Sequence, residues 1–148
     1  MNGFDLPRRR IADGANRLGI RLDDHALDTF ETYAALLNEG RQRLNLTTIV
    51  DPIDVADKLF LDSLTAILGL AAHPISGARF VDVGTGAGFP GVPLAVVLPH
   101  VGVTLLDATR RKAEWVDDAV RRAGIENAWG IVGRAEDPVS YTHLRAHE

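Results

Sequence analysis

The stretch VDVGTGAGFPG, Val81 to Gly91, sets four glycines within the eight positions from Gly84 to Gly91, directly after a short apolar run. Glycine tolerates positive φ and the near approach of another group, and it weakens any regular element that contains it. So many together point to a ligand close to the backbone rather than to a turn alone. The flanking pattern narrows the fold. Arg79 to Val83 reads as a buried strand, Val92 to Leu98 as a short helix ended by Pro99, and Val103 to Leu106 as a second apolar strand closed by Asp107. A helix with Trp115, Val116, Ala119, Val120 and Ala123 on one face follows, stopped by Gly124, and Trp129 to Val132 reads as a third strand. Strand, loop, helix, strand, helix, strand is the α/β pattern of a doubly wound parallel sheet, which binds ligands at the carboxyl ends of its strands.

Two patterns compete within the loop. Gly84, Gly86 and Gly88 form GxGxG after Asp82, whereas Gly86, Gly88 and Gly91 form GxGxxG, the dinucleotide fingerprint. Asp107, about twenty residues on, suits a ribose hydroxyl in either case. Pro90 and Pro93 separate the two readings, because they remove N–H donors from the helical turn on which a pyrophosphate would sit. Asp82 would repel a pyrophosphate and attract a sulfonium or ammonium. A ribose-bearing cation without phosphate fits best, and S-adenosylmethionine is the common ligand of that class. A nicotinamide-type oxidoreductase is the alternative enzyme reading.

The first half reads as helical. From Asp23 the apolar positions Ala26, Leu27, Phe30, Tyr33, Ala34 and Leu37 recur at three- and four-residue steps, with Asp23 or Asp24 as cap and Gly40 as stop. A second helix starts at Asp51-Pro52 and carries Val55, Ala56, Leu59, Phe60, Leu64, Ile67 and Leu68 on its buried side. Asn45 to Val50 connects them. After His73-Pro74 the pattern shifts to short apolar runs, which divides the chain into a helical part, 1–73, a sheet part, 74–138, and a tail, 139–148.

At 148 residues and 46% apolar content the chain suits one domain, and its formal charge of −4 argues against holding nucleic acid by bulk electrostatics, though not against a local basic patch. There are no cysteines, and of five histidines only His143 and His147 have helical i, i+4 spacing, without the acidic partner of a zinc motif; no metal site is expected. No run reaches the roughly 20 apolar residues of a membrane span. Arg8, Arg9 and Arg10 are followed by Asp13, Asn16 and Arg17 where a signal peptide would be apolar, so a cytoplasmic location is expected.

Five segments in order resemble one family: NLTTIVDP from Asn45, FLDSL from Phe60, VDVGTGAGFPGVPLAVVLP from Val81, TLLDATRRKAEWV from Thr104 and GRAED from Gly133. Together they are similar to the glucose-inhibited division protein B family, bacterial guanine-N7 methyltransferases of small-subunit ribosomal RNA. The resemblance implies a Rossmann-like sheet of strand order 3-2-1-4-5-7-6, of which this chain supplies the first three strands. It implies a cofactor pocket lined by Gly84 and Phe89, with Gly86 and Gly88 giving clearance, Asp107 on the ribose and Ala135 with Glu136 at the adenine. Asn45, Thr47, Asp62 and Ser63 would lie near the substrate guanine; alternatively Asn45 and Asp62 only cap or tie helices. The implied partner is small-subunit ribosomal RNA or the 30S subunit, met by a monomer. Arg41, Arg43 and Lys58 could meet phosphate; the Arg110-Arg111-Lys112 cluster could also, or be a solvated face.

Three departures from the family stand out. Gly40 and Arg41 replace its usual tryptophan and asparagine, Leu59 replaces its histidine, and Val139 to Glu148 reads as a foreign junction. Loss of the aromatic and the imidazole is expected to loosen the helical part or weaken an RNA contact, and loss of the later strands to leave strand 1 as an open edge. The chain by itself is therefore expected to be inactive. A non-catalytic nucleotide- or RNA-binding fragment is the remaining alternative.

Overall fold

The computed structural model describes residues 4–70 and 79–137. The boundary at His73-Pro74, the histidines His143 and His147 and the tail from Val139 lie outside the described residues.

The chain opens with α1 (Arg8–Arg17), to which the sequence reading assigned no element. Only Ile11 and Ala15 are buried on it, one turn apart, and that is too short an apolar stripe to show among charges. Those two side chains seat it in the core, and exposed ion pairs supplement them: Arg8 reaches Asp24, Asp28 and Glu31, and Arg10 grips Asp57 with two donors at 2.7 Å. Next, α2 (Asp24–Gly40) is capped by Asp23, whose carboxylate accepts the Ala26 N–H at 2.8 Å. The helix ends at Gly40 as expected, without a left-handed angle there, since Arg41 continues with right-handed angles. Gly40 is required by packing: a Cβ there would lie 2.3 Å from Nε1 of Trp115. Trp115 thus fills the space beside Gly40, and the expected loosening does not occur there.

The helix expected from Asp51 begins as foreseen, with Asp51 accepting the Ile53 and Asp54 N–H groups. It is not uniform. α3 (Pro52–Asp54) passes through a π-helical segment, Val55–Leu61, into α4 (Asp62–Leu64), and α5 (Ala66–Leu70) follows a turn at Thr65. Val55, Ala56, Phe60 and Leu64 are buried as expected, whereas Leu59 and Ile67 are half-buried and Leu68 is 57% exposed. The buried stripe ends at Leu64, the last position of this helix in the core.

Three parallel strands follow, β1 (Arg79–Val83), β2 (Gly102–Asp107) and β3 (Ala128–Val132), in the spatial order β1-β2-β3. The crossovers are α6 (Gly91–Val97) and α7 (Arg110–Arg122). β2 is buried from Val103 to Asp107. β1 is apolar in sequence yet only half-covered, with Val81 and Val83 39% and 57% exposed, which corrects the expectation of a buried strand. Its outer edge pairs with no other strand among the described residues, as the implied strand order requires. One hydrophobic core joins the helices to the sheet, from Ile11, Phe30 and Phe60 through Val92 to Val103, Val116 and Ala128.

Candidate active site

Parallel pairing aligns the carboxyl ends of the three strands, Val83 beside Leu106 and Asp107 beside Val132, so the segments leaving them share one edge of the sheet. The glycine loop leaves β1 there, Asp107 ends β2, and the turn holding Ala135 and Glu136 follows β3, closed by a bond from the Asp137 N–H to the Arg134 carbonyl. The cofactor residues implied by the resemblance are therefore brought to one edge. Glu136 is exposed, Ala135 half-buried and Asp107 buried.

Two carboxylates shape the loop. Asp82 Oδ2 accepts from Thr85 Oγ1 at 2.7 Å and from the Gly91 N–H at 2.9 Å, spanning the loop from its second residue to the start of α6. Burial pushes the Asp82 carboxyl above its ordinary pKa, against the lowering effect of those two donors, and the Asp107 charge adds to the rise. Asp107 accepts from the Gly86 N–H through Oδ2 at 2.9 Å and from the Thr109 N–H through Oδ1 at 2.8 Å. Both carboxylates, expected at the ligand, thus also hold backbone.

The start of α6 has no N–H to offer an anion. The Gly91 N–H is taken by Asp82, the Val92 N–H donates to the Gly88 carbonyl at 2.7 Å, and Pro93 has none. A pyrophosphate has no donors there, and the nearest charge is negative. The dinucleotide reading is set aside on this geometry.

The four glycines divide into two pairs. Gly84 and Gly86 have φ of +69° and +55°, and no described atom lies within 4 Å of where their Cβ would be, so the loop is open above them. Gly88, with φ of +96°, is closed: a Cβ would lie 2.4 Å from the Tyr33 hydroxyl and 2.7 Å from Val92. At Gly91 it would lie 2.3 Å from Leu105 and 2.8 Å from Asp82. Gly88 and Gly91 are fold requirements, contrary to the expectation that the glycines answer to a ligand and that Gly88 gives clearance.

Tyr33 is the residue that sequence reasoning missed. Wholly buried on α2, it donates its hydroxyl to the Ala87 carbonyl at 2.6 Å, tying the helical part to the middle of the loop. Burial and the Asp82 charge hold its pKa well above the ordinary phenol value. The signal was present: a hydroxyl inside an apolar stripe must find a partner when buried. Phe89 meets the same cluster edge-on, 5.9 Å from the Tyr33 ring and 5.2 Å from Phe60. Expected as a pocket wall, Phe89 is also the loop's anchor in the helical core.

The NLT segment docks here too. Leu46 packs with Leu37 and Ala87, next to Leu59 and Phe89, so Asn45 adjoins a residue seated on the glycine loop. The side chains of Asn45 and Asp62 are exposed and have no hydrogen-bond or ion-pair partner among the described residues, so neither caps nor ties a helix. Their neighbours do serve structure: Thr47 Oγ1 accepts from the Ile49 N–H, and the Ser63 hydroxyl donates to the Leu59 carbonyl. No group of three metal-ligating side chains occurs among the described residues, and no helix there is long and apolar enough to cross a membrane.

Comparison with known proteins agrees with this geometry. A solved Plasmodium falciparum chain, described as a protein-L-isoaspartate O-methyltransferase in complex with S-adenosyl-L-homocysteine, superposes with a TM-score of 0.53 at 15% identity, over 93% of this chain and 68% of that one. At that identity the likeness is one of fold, the Rossmann-like methyltransferase sheet. The ribosomal RNA small subunit methyltransferase G of Pelotomaculum thermopropionicum is 44% identical over 128 residues, and its namesakes from Caldanaerobacter subterraneus and Leuconostoc citreum are 39% and 38% identical. These alignments cover 86%, 86% and 82% of this chain and 52%, 52% and 51% of the relatives, so the chain spans about half their length. Residues 26–146 match the family model described as rRNA small subunit methyltransferase G, and the chain belongs to that family.

Proposed function

We propose that the protein represented by this chain methylates guanine N7 in small-subunit (16S) ribosomal RNA, with S-adenosylmethionine as donor, acting as a monomer in the cytoplasm. The observation that carries the choice of ligand is the start of α6, where every N–H is spent or missing and a carboxylate stands at the turn. A nucleoside cation is tolerated at such a place and a diphosphate is not.

The residues present fit that ligand. Gly84 and Gly86 leave open room above the loop. Asp107 would take the ribose hydroxyls by sharing or releasing the Gly86 N–H it now accepts. Ala135 and Glu136 would meet the adenine. Asp82 would favour the positive charge while its Oδ2 keeps the loop folded. Gly88 and Phe89 would act by holding the loop's shape.

When bound, S-adenosylmethionine supplies an electrophilic methyl group. Guanine N7 carries an in-plane lone pair at neutral pH, so the chain needs no general base, and its residues have only to orient the guanine and exclude water. Asn45 and Asp62, exposed and without partners among the described residues, are the side chains offered to that guanine.

The test is tritiated methyl transfer to small-subunit particles and to free ribosomal RNA, with the chain extended to the length of its relatives. N7-methylguanine in the digested RNA is the expected product, and its absence from both substrates would refute the reading. Calorimetry with S-adenosylhomocysteine and NADH should give heat with the first alone. RNA binding without any methyl transfer would favour the non-catalytic alternative.

A further inference from the structure

We propose that the cleft between the C-terminal part of α2 and α7 is a second RNA contact, which grips phosphodiester groups away from the reacting base; this rests on the reading of the substrate as RNA. The cleft has a volume of about 220 Å³. Arg43, Arg111 and Arg122 line it, and Leu36, Leu44 and Trp115 supply an apolar side. Arg43 lies just after α2, whereas Arg111 and Arg122 stand in the first and last turns of α7. The tertiary structure thus joins cations that the sequence keeps in separate clusters.

The charge of this face differs from that of the chain. Residues 39–43 and 110–122 hold seven Arg and Lys against four Asp and Glu, in a chain of formal charge −4. Within the cleft three guanidinium groups face two carboxylates, Glu39 and Asp118. Arg43 pairs with Glu39 at 3.0 Å, and Arg122 lies 3.7 Å from Asp118 and 4.0 Å from Glu39. These side chains are all at least half exposed, and such pairs are weak and screened by salt, so a phosphate oxygen can share or displace the carboxylate. Arg111 has no acidic partner among the described residues and is exposed.

Position and shape fit a strand of RNA. Arg111 follows Asp107 by four residues, at the carboxyl edge of the sheet, so a strand delivered to the candidate site passes it. From Arg111 to Arg122 the helix rises roughly 16 Å, the reach of several phosphates. Planar guanidinium donors beside an aromatic side chain suit phosphate with an adjoining ribose or base. Gly40 lines the cleft where the resembling family usually has tryptophan, and a side chain there would run into Trp115.

The experiment is fluorescence anisotropy of this chain with a short labelled single-stranded RNA over a salt series. The Arg43→Glu/Arg111→Glu variant should bind at least about tenfold more weakly, and its log–log salt slope should fall by about 0.7 for each lost contact. Arg17→Glu/Arg21→Glu imposes the same change of net charge on exposed arginines elsewhere and should have a smaller effect. Arg111→Ala, which breaks no ion pair among the described residues, should show part of the loss with the fold intact. Equal losses in the two double variants, unchanged binding in the cleft variant, or no RNA binding by the unaltered chain would each overturn the proposal. In the extended protein the cleft variant should raise KM for RNA while leaving kcat and S-adenosylhomocysteine binding unchanged. Absence of methyl transfer by the unaltered extended protein would defeat the functional reading without altering the anisotropy result.

Discussion

Gly84 and Gly86 on one side of the loop, Gly88 and Gly91 on the other, read alike in sequence and differ completely in surroundings. The first pair faces open space with left-handed backbone angles; the second is packed against Tyr33, Val92, Leu105 and Asp82. One loop therefore answers two demands. Its first half stays clear, and its second half is clamped so that the first half keeps its shape. The clamp comes largely from the helical part, through the Tyr33 hydroxyl and the Phe60–Phe89 contact. Whatever disturbs the helical part is then felt at the cofactor loop.

The comparison can be broken most sharply at Gly88. Gly88→Ala combines a left-handed φ with overlap on two side chains, and should cost about 3 kcal/mol or more in urea denaturation. A midpoint equal to that of the unaltered chain would show that the second half is not clamped. Tyr33→Phe should cost about 1–3 kcal/mol by leaving the Ala87 carbonyl without its donor. Combined with Gly88→Ala it should cost less than the sum, because the hydroxyl that a new Cβ would strike is gone; strict additivity would contradict the packing.

Gly84→Ala meets no neighbour and should cost only about 1–2 kcal/mol for its backbone angle. In the extended protein it should nonetheless weaken S-adenosylhomocysteine binding about tenfold, or ~1.4 kcal/mol, by calorimetry. If Gly84→Ala and Gly88→Ala lose stability equally, the division of the loop is wrong. The smallest effect concerns Asp82. Its folded pKa is raised, so above the ordinary value of 3.8 the folded state binds the proton more tightly than the unfolded state does. Stability from this group therefore declines as pH rises from that value through the raised one. Asp82→Asn should flatten that part of the stability curve, and an unchanged slope would show that the burial is relieved.

Much of the fold was legible because its signals are local. Asp23 and Asp51 cap where expected, and the three strands fall within a residue of their predicted bounds, since caps and short apolar runs act over a few residues. α1 was not legible because its buried stripe is only Ile11 and Ala15 and its ion pairs reach residues sixteen or more positions away. The half-covered state of β1 was misread for a related reason: an apolar run reports what a strand can bury, while its neighbours decide what it does bury. Of the candidate site, the placing of Asp82, the glycine loop and Asp107 on adjacent strands and their shared edge was readable from motif and spacing, whereas which glycines stand open was not. That Asp82 and Asp107 also hold the Gly91 and Gly86 N–H groups was not, because those bonds span nine and twenty-one residues through folded geometry.

Sequence alone determined that a glycine-rich loop follows a strand and opens a short helix poor in N–H donors, because glycine and proline act on their own backbone wherever they stand. Only the tertiary structure decided which glycines face open space and which are packed against neighbours. It also decided that Trp115 occupies the space beside Gly40, and that arginines from two distant segments share one cleft. Those outcomes depend on close packing between elements far apart in the chain, where a single Cβ is admitted or refused by a neighbour that no local pattern names.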